Sequence, residues 1–222
     1  MQKSLPLIHT RRTATGTRER ILDVSARIFR TRGYAETTMN DIAEATGIKA
    51  ASIYYYFRSK DEIVEEVLNL GTLRVFEAVR HMVDNLPPET SFREKLTLAL
   101  RTHLTLLHTQ GDYTAANIRL YPEAPAHVVE RHMSLRRSYG QYWQEMLREG
   151  QSEGLIAESM DVKLVQMLLL GALNWSLQWY KPTLYDLEMV AASGISLLLD
   201  GLFCADGLAA SDQPRDRESP TE

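Results

Sequence analysis

An all-α fold follows from three features of the 222-residue chain. Apolar residues recur at helical spacing along most of its length. No segment alternates with period two between turn residues. Gly33, Gly47 and Gly111, with Pro87–Pro88, Pro122, Pro125 and Pro182, fall at the joints between amphipathic stretches. About nine helices are expected, arranged as a small N-terminal three-helix domain and a larger C-terminal helical domain. With 44% hydrophobic and 24% charged residues, the composition suits a folded globular chain with a sizeable core.

Residues 1–14 are polar and basic and read as a flexible arm. The first helix is predicted from about Thr17 to Arg32, where Leu22, Ala26 and Phe29 form one stripe flanked by Ile21 and Ile28 and Gly33 supplies a left-handed stop. A second helix opens at Thr38, with Asp41 at capping-box spacing. It buries Ile42 and Ala43 and closes at Gly47. A third, short helix covers roughly Lys49 to Tyr56. Ser59 and Glu62 form another capping box, starting a long helix to about Val83. Pro87 and Pro88 break the chain. Helices follow over about Ser91 to Gln110, between Gly111 and Pro122–Pro125, from Ala126 to Gly150, from Asp161 to Tyr180, and from Leu184 to Phe203. Residues 205–222 have no apolar pattern and read as a disordered tail.

Charge divides the chain. Residues 1–60 hold eleven Lys/Arg and five Asp/Glu (+6), and the remainder hold fourteen and twenty-four (−10), which sum to the net −4. A basic module on an acidic body points to a polyanion meeting the N-terminal part alone. The second and third helices, joined through Gly47, have the spacing of a helix-turn-helix, whose second helix enters the major groove. That helix contains Tyr54, Tyr55 and Tyr56 between Ile53 and Phe57. Ile53 and Phe57 share one face and anchor it. Three adjacent phenols cannot share a core face, and outward they can bond phosphates or pack on sugars and thymine methyls. Ala50 and Ala51 are small enough to let the helix sit deep. Lys49 opposes the helix dipole where a phosphate or base edge would favour it. Thr38 and Lys60 stand at helix N-termini suited to clamping phosphate.

The stretch RILDVSARIFRTRGYAETTMNDIAEATGIKAASIYYYFRSKDEIVEEVL, residues 20–68, resembles the DNA-binding domain of TetR-family transcriptional regulators. The resemblance rests on Gly33-Tyr34, Thr37-Thr38, Asp41-Ile42-Ala43, Gly47-Ile48, Tyr54-Tyr55-Tyr56-Phe57 and Lys60. It implies a homodimeric, all-helical repressor of double-stranded operator DNA, released by a small ligand. By the same resemblance Thr38, Lys49, Ala50, Ala51, Tyr54, Tyr55, Tyr56 and Lys60 would touch DNA. Many members have Ser then Lys where this chain has Lys49 then Ala50, so base preference does not transfer. The domains implied are a DNA-binding head over 15–60 and a ligand-binding and dimerisation body over 61–204.

In the body, the helix ending in LLLGALNWSLQWYKP is apolar almost all round, with Leu164, Leu168, Trp175 and Trp179 on one side and Leu170, Leu173 and Leu177 on another. Such a helix is buried on both sides. The last helix adds small residues, Ala191 to Gly194, for close approach. A four-helix dimer interface is expected, formed by Leu170, Leu173, Leu177, Ala191, Gly194 and Leu198. A ligand cavity is expected from Tyr121, Tyr139, Tyr142, Trp143, Met146, Asn174 and Trp175, with His103, Asn117, Arg119 and Arg136 as orienting groups. The LLLGALNWSLQWYKP segment resembles family members that respond to fatty-acyl or sterol-derived coenzyme A thioesters, so a small hydrophobic effector of that kind is expected.

Other classes find little support. His127/His132 and His103/His108 are five apart, off the spacing that would aim a pair at one metal ion. No nucleophile elbow, P-loop or dinucleotide fingerprint is present, so neither an enzyme nor a cofactor is expected. A lone cysteine, Cys204, and the lack of a signal-peptide-like or membrane-spanning stretch point to the cytoplasm. An activator using the same DNA contacts, or a helical ligand-binding protein that no longer reads DNA, remain the alternatives.

Overall fold

In a computed structural model, the protein is described over residues 8–200, with side chains over 16–199. The expected tail at 205–222, Cys204, and residues 1–7 of the expected arm lie outside these residues. Among the described residues there are nine helices and no strand: α1 (Ile8–Arg32), α2 (Met39–Thr46), α3 (Ala50–Tyr56), α4 (Lys60–Asp84), α5 (Phe92–Thr109), α6 (Gly111–Glu123), α7 (Ala126–Ser152), α8 (Val162–Trp179) and α9 (Leu187–Asp200). Helix α1 begins nine residues before its expected start, inside the stretch read as an arm. The chain divides into two compact units, one up to Trp179 and one from Tyr180.

In the first unit, α1 packs on α2, α4 and α6, while α4 packs along α5, α6 and α7. Ile21, Leu22, Ala26 and Phe29 of α1 are buried with Ile42 and Ala43 of α2, Ile53 and Phe57 around α3, and Ile63, Val64, Val67 and Leu68 of α4. The same cluster takes in Tyr113, Ala116 and Leu120 of α6, so the N-terminal head and the body share one core. Burial of this apolar surface is the main stabilising term.

The caps follow the sequence closely, with one difference. Thr38 and Asp41 form a reciprocal capping box: Asp41 N donates to Thr38 Oγ1 at 3.2 Å, and Thr38 N donates to Asp41 Oδ2 at 2.7 Å. Ser59 accepts from Glu62 N at 3.3 Å, but the Glu62 carboxylate reaches the Arg58 N–H at 2.7 Å instead of returning to Ser59. The second box is therefore shifted by one residue on its return bond.

Helix α8 has the wrong side outward for the expected interface. Leu170 and Leu173 are buried within the first unit, while Leu164, Leu168, Trp175 and Trp179 are exposed, Trp175 by 65%. These four fall within an arc of about 60° at 100° per residue. The helix packs on α5 and α7 through its other side. Because both sides are apolar, neighbouring helices and not local pattern decided which was covered. In the second unit, Ala191 of α9 is buried and Gly194 and Leu198 are half-buried, while Met189 and Leu197 are exposed.

Candidate functional site

The expected reading element is α3. It is only seven residues long and starts at Lys49, which makes no side-chain capping bond. Its stability comes from Ile53 and Phe57, both buried, and from Phe57 N donating to Ile53 O at 3.0 Å. Lys49, Ala50, Ala51, Tyr54 and Tyr55 are exposed, Tyr55 by 82%. Tyr56 differs from its neighbours: it is half-buried and packs against the core cluster, with the Tyr55 ring edge-on to it at 5.1 Å. Two phenols, not three, are exposed to solvent.

Thr38 is exposed, yet its hydroxyl also donates to Asp41 Oδ2 at 2.5 Å, and these bonds with Thr38 hold the Asp41 carboxyl below its usual range. Lys60 is half-buried. Its ammonium donates to Tyr34 O at 2.8 Å and Thr37 O at 2.9 Å and sits 3.8 Å from the centre of the Tyr34 ring. Burial lowers its pKa. Two of its three N–H donors are engaged inside the protein, tying the start of α4 to the α1–α2 turn.

That turn has further ties. Tyr34 OH donates to Asp61 at 2.7 Å, which with burial pushes the phenol up to about 12; Asp61 also pairs with His127 of α7 at 3.0 Å. Tyr34 N donates to Glu123 of α6 at 2.8 Å. Gly33, at φ 79°, permits this approach, since a Cβ there would run into the Glu123 carboxylate and the Arg119 guanidinium. Along α1, Asp23 accepts from Tyr113 OH at 2.8 Å, and Asp112 pairs with Arg27 and Arg30.

A cavity of about 510 Å³ lies between α4, α5, α6, α7 and α8. Of the expected lining, His103, Asn117, Tyr121, Arg136, Tyr139 and Asn174 are on its wall. The other five are not. Trp143 and Met146 are buried core, the indole edge-on to His103 and Tyr139. Tyr142 packs on Phe76, Arg119 faces the α1–α2 turn, and Trp175 belongs to the exposed stripe. Adjacent helical positions point about 100° apart, which places Asn174 inside and Trp175 outside. Leu170 and Leu177, expected at a dimer interface, line the cavity instead. Gly71, Thr72 and Val75 of α4 are wall residues that the sequence did not single out.

The wall mixes apolar surface with ordered polar groups. His103 is fully buried, with Nδ1 2.8 Å from Tyr139 OH and Nε2 3.1 Å from Asn174 Oδ1; burial pushes its pKa down to about 4. His132, behind Thr72, bonds Asn69 at 2.9 Å and is likewise pushed down to about 4, by burial and by Arg136. Arg136 stacks over Tyr121 at 4.3 Å and is itself exposed. Each of these histidines serves a separate polar contact, and no group of three His, Cys, Asp or Glu among the described residues is arranged to hold a metal. Among the described residues, no helix is long and apolar enough to cross a membrane.

Comparison with known proteins agrees with this arrangement. Residues 21–67 match the model of the bacterial regulatory proteins of the tetR family, and residues 89–202 match the tetracyclin repressor-like C-terminal domain. The chain is 30% identical to the HTH-type transcriptional repressor KstR2 of Mycolicibacterium smegmatis, over 86% of this chain and 92% of that protein. It is 24% identical to the fatty acid metabolism regulator protein of Bacillus subtilis, over 82% and 93%. Among solved structures, the TetR-family regulator PfmR from Thermus thermophilus is similar with a TM-score of 0.73 and 26% identity, covering 83% of this chain and all of that one. The relatives are transcriptional regulators, not enzymes. With both halves matched, the chain belongs to the TetR family of bacterial regulatory proteins.

Proposed function

We propose that the protein is a homodimeric repressor, working in the cytoplasm, that is released from a palindromic operator by a small hydrophobic effector. The head over 15–60 would read DNA through Thr38, Lys49, Ala50, Ala51 and the exposed Tyr54 and Tyr55, with Tyr56 and Lys60 beside them. The body over 61–204 would bind the effector and the second protomer. Helix α6 carries this reading. One face, at Thr114, Asn117, Ile118, Tyr121 and Pro122, lines the cavity. Its other residues, Asp112, Tyr113, Arg119 and Glu123, bond α1 and the α1–α2 turn. A molecule that shifts α6 would disturb the head directly, and the equilibrium moves by the difference in ligand affinity for the two conformations.

The relatives named as a repressor and as a fatty acid metabolism regulator support the sign and a lipid-like effector. A coenzyme A thioester suits the cavity if its acyl part enters and its anionic part stays outside near Arg136. A dimer paired through the α8 stripe reads two half-sites if its recognition helices stand about 34–36 Å apart. The test is selection of bound duplexes from genomic fragments, followed by titration at several salt concentrations. Phosphate contacts require affinity to fall steeply with salt. A flat salt response, or unchanged affinity in Tyr54→Ala, would remove the DNA-reading assignment.

A further inference from the structure

Two carboxamides on the cavity wall are held in opposite senses. Asn174 Oδ1 lies 3.1 Å from His103 Nε2 and can only accept, so Nε2 carries the hydrogen. In the neutral ring Nδ1 is then an acceptor, which matches Tyr139 OH donating to it at 2.8 Å. The chain Tyr139 to His103 to Asn174 fixes the Asn174 oxygen against the wall. Its NH2 group, which has no hydrogen-bond partner among the described residues, is presented where Asn174 lines the cavity.

Asn117 is the reverse. Its NH2 donates to Leu68 O at 3.2 Å and Tyr113 O at 3.3 Å, so both donors are engaged and the oxygen is the group left to meet a ligand where Asn117 lines the cavity. Gly71 makes this position possible: a Cβ there would collide with the Asn117 amide. The remaining polar groups of the wall are engaged differently. Thr114 donates its hydroxyl to Leu107 O at 2.6 Å, and Gln166 is held by a single 3.4 Å contact to Gln144 that does not fix its amide. Thr72 and Tyr121 direct their hydroxyls to His132 and Met133, and Arg136 lies over the Tyr121 ring, so among the wall amides Asn174 offers an oriented donor and Asn117 an oriented acceptor.

We infer that the cavity selects an apolar ligand carrying both a carbonyl-type oxygen, received by the Asn174 amide, and a hydroxyl, received by the Asn117 oxygen. This rests on the cavity being the effector site and adds the functional groups its occupant must bear. Both partners are pre-oriented, so a matching ligand does not lose affinity by bringing polar atoms out of water. An unmatched carbonyl or hydroxyl would weaken binding about tenfold to a hundredfold.

The experiment is a thermal-shift titration of the full chain with octane, with methyl hexyl ketone, and with the same ketone bearing a hydroxyl at its far end. The flexible chain lets the two oxygens sample a range of separations up to its extended length. The ketone and hydroxy-ketone are expected to bind at least as tightly as octane. In Asn174→Leu, the ketone should weaken about tenfold relative to octane. The wild-type series needs no variant to fold. A wild-type ketone that binds about tenfold more weakly than octane, or an octane-to-ketone ratio unchanged by Asn174→Leu, overturns the subsite while leaving the cavity. No shift with any of the three, octane included, removes the cavity as a ligand site and the inference with it.

Discussion

The Lys60 ammonium lies between two carbonyl oxygens and an aromatic face: it bonds Tyr34 O and Thr37 O and stands 3.8 Å from the centre of the Tyr34 ring. A residue that the sequence placed beside DNA is therefore also a strut between α4 and the turn before α2.

This gives Lys60 and Tyr55 different signatures. Lys60→Met leaves two carbonyls without their donor and should lower the stability of the free protein by about 1–3 kcal/mol. Tyr55→Ala, at a side chain mostly in solvent, should change it by less than about 0.5 kcal/mol. Urea denaturation without DNA measures both. Operator affinity should fall in each, but only Lys60→Met should lose stability as well.

The α1–α2 turn offers a second test. Gly33 has φ 79°, and a Cβ there would also strike Glu123. Gly33→Ala should cost about 1–2 kcal/mol from the left-handed backbone alone, before any displacement of Glu123. Gly47→Ala, also left-handed but with open space around it, is the control for backbone strain. A larger loss at 33 than at 47 would reveal the contact with α6. Equal losses would show that Glu123 yields freely.

Acid should weaken the body through its buried imidazoles. Burial lowers His103 from 6.5 to about 4 in the folded state, so between those values the unfolded chain binds more protons. Stability is then full above about pH 6.5 and declines as pH falls toward 4, by roughly 3 kcal/mol at most for a shift of this size. His132, also buried and pushed down to about 4, contributes with the same sign. Thermal melts from pH 7 to pH 4.5 should show the fall, and His103→Leu should flatten it. A wild-type melting temperature independent of pH over this range would contradict neutral burial of the ring.

The α8 stripe predicts assembly. Trp175→Glu or Leu168→Glu places a charge on the exposed apolar face and should give monomers by sedimentation velocity, with the fold retained by circular dichroism. Leu173→Ala, on the buried side, should instead cost about 2–5 kcal/mol of stability without a specific effect on association. If both stripe variants stayed dimeric, the protomers would have to pair elsewhere.

The head was legible because its signals are local. Leu22, Ala26 and Phe29 keep strict helical spacing, Thr38 and Asp41 sit three apart, and Gly33 and Gly47 mark the stops. Each can be read without knowing what lies across the core. Helix α8 could not be oriented this way, since a helix apolar on both sides has no polar face to name the outside. Leu170 and Leu177 consequently moved from interface to cavity, and Trp175 from cavity to surface. Six of the eleven expected cavity residues were found by type, as polar groups among aromatics. Their pairing across helices, His103 with Tyr139 and Asn174, depends on residues 36 and 71 positions away. The return bond of Glu62 to Arg58 and the Glu123–Tyr34 contact had no sequence signal at all.

The exposed stripe of α8 has a consequence for dosage. A protomer that must meet a second copy before it can span both half-sites responds to its own abundance nonlinearly. Below the dimerisation constant, the concentration of paired molecules grows as the square of the chain concentration. Halving expression would then leave about one quarter of the operator-competent species. A single apolar face would thereby set a threshold for silencing, independent of any effector and adjustable by residues that touch neither DNA nor ligand.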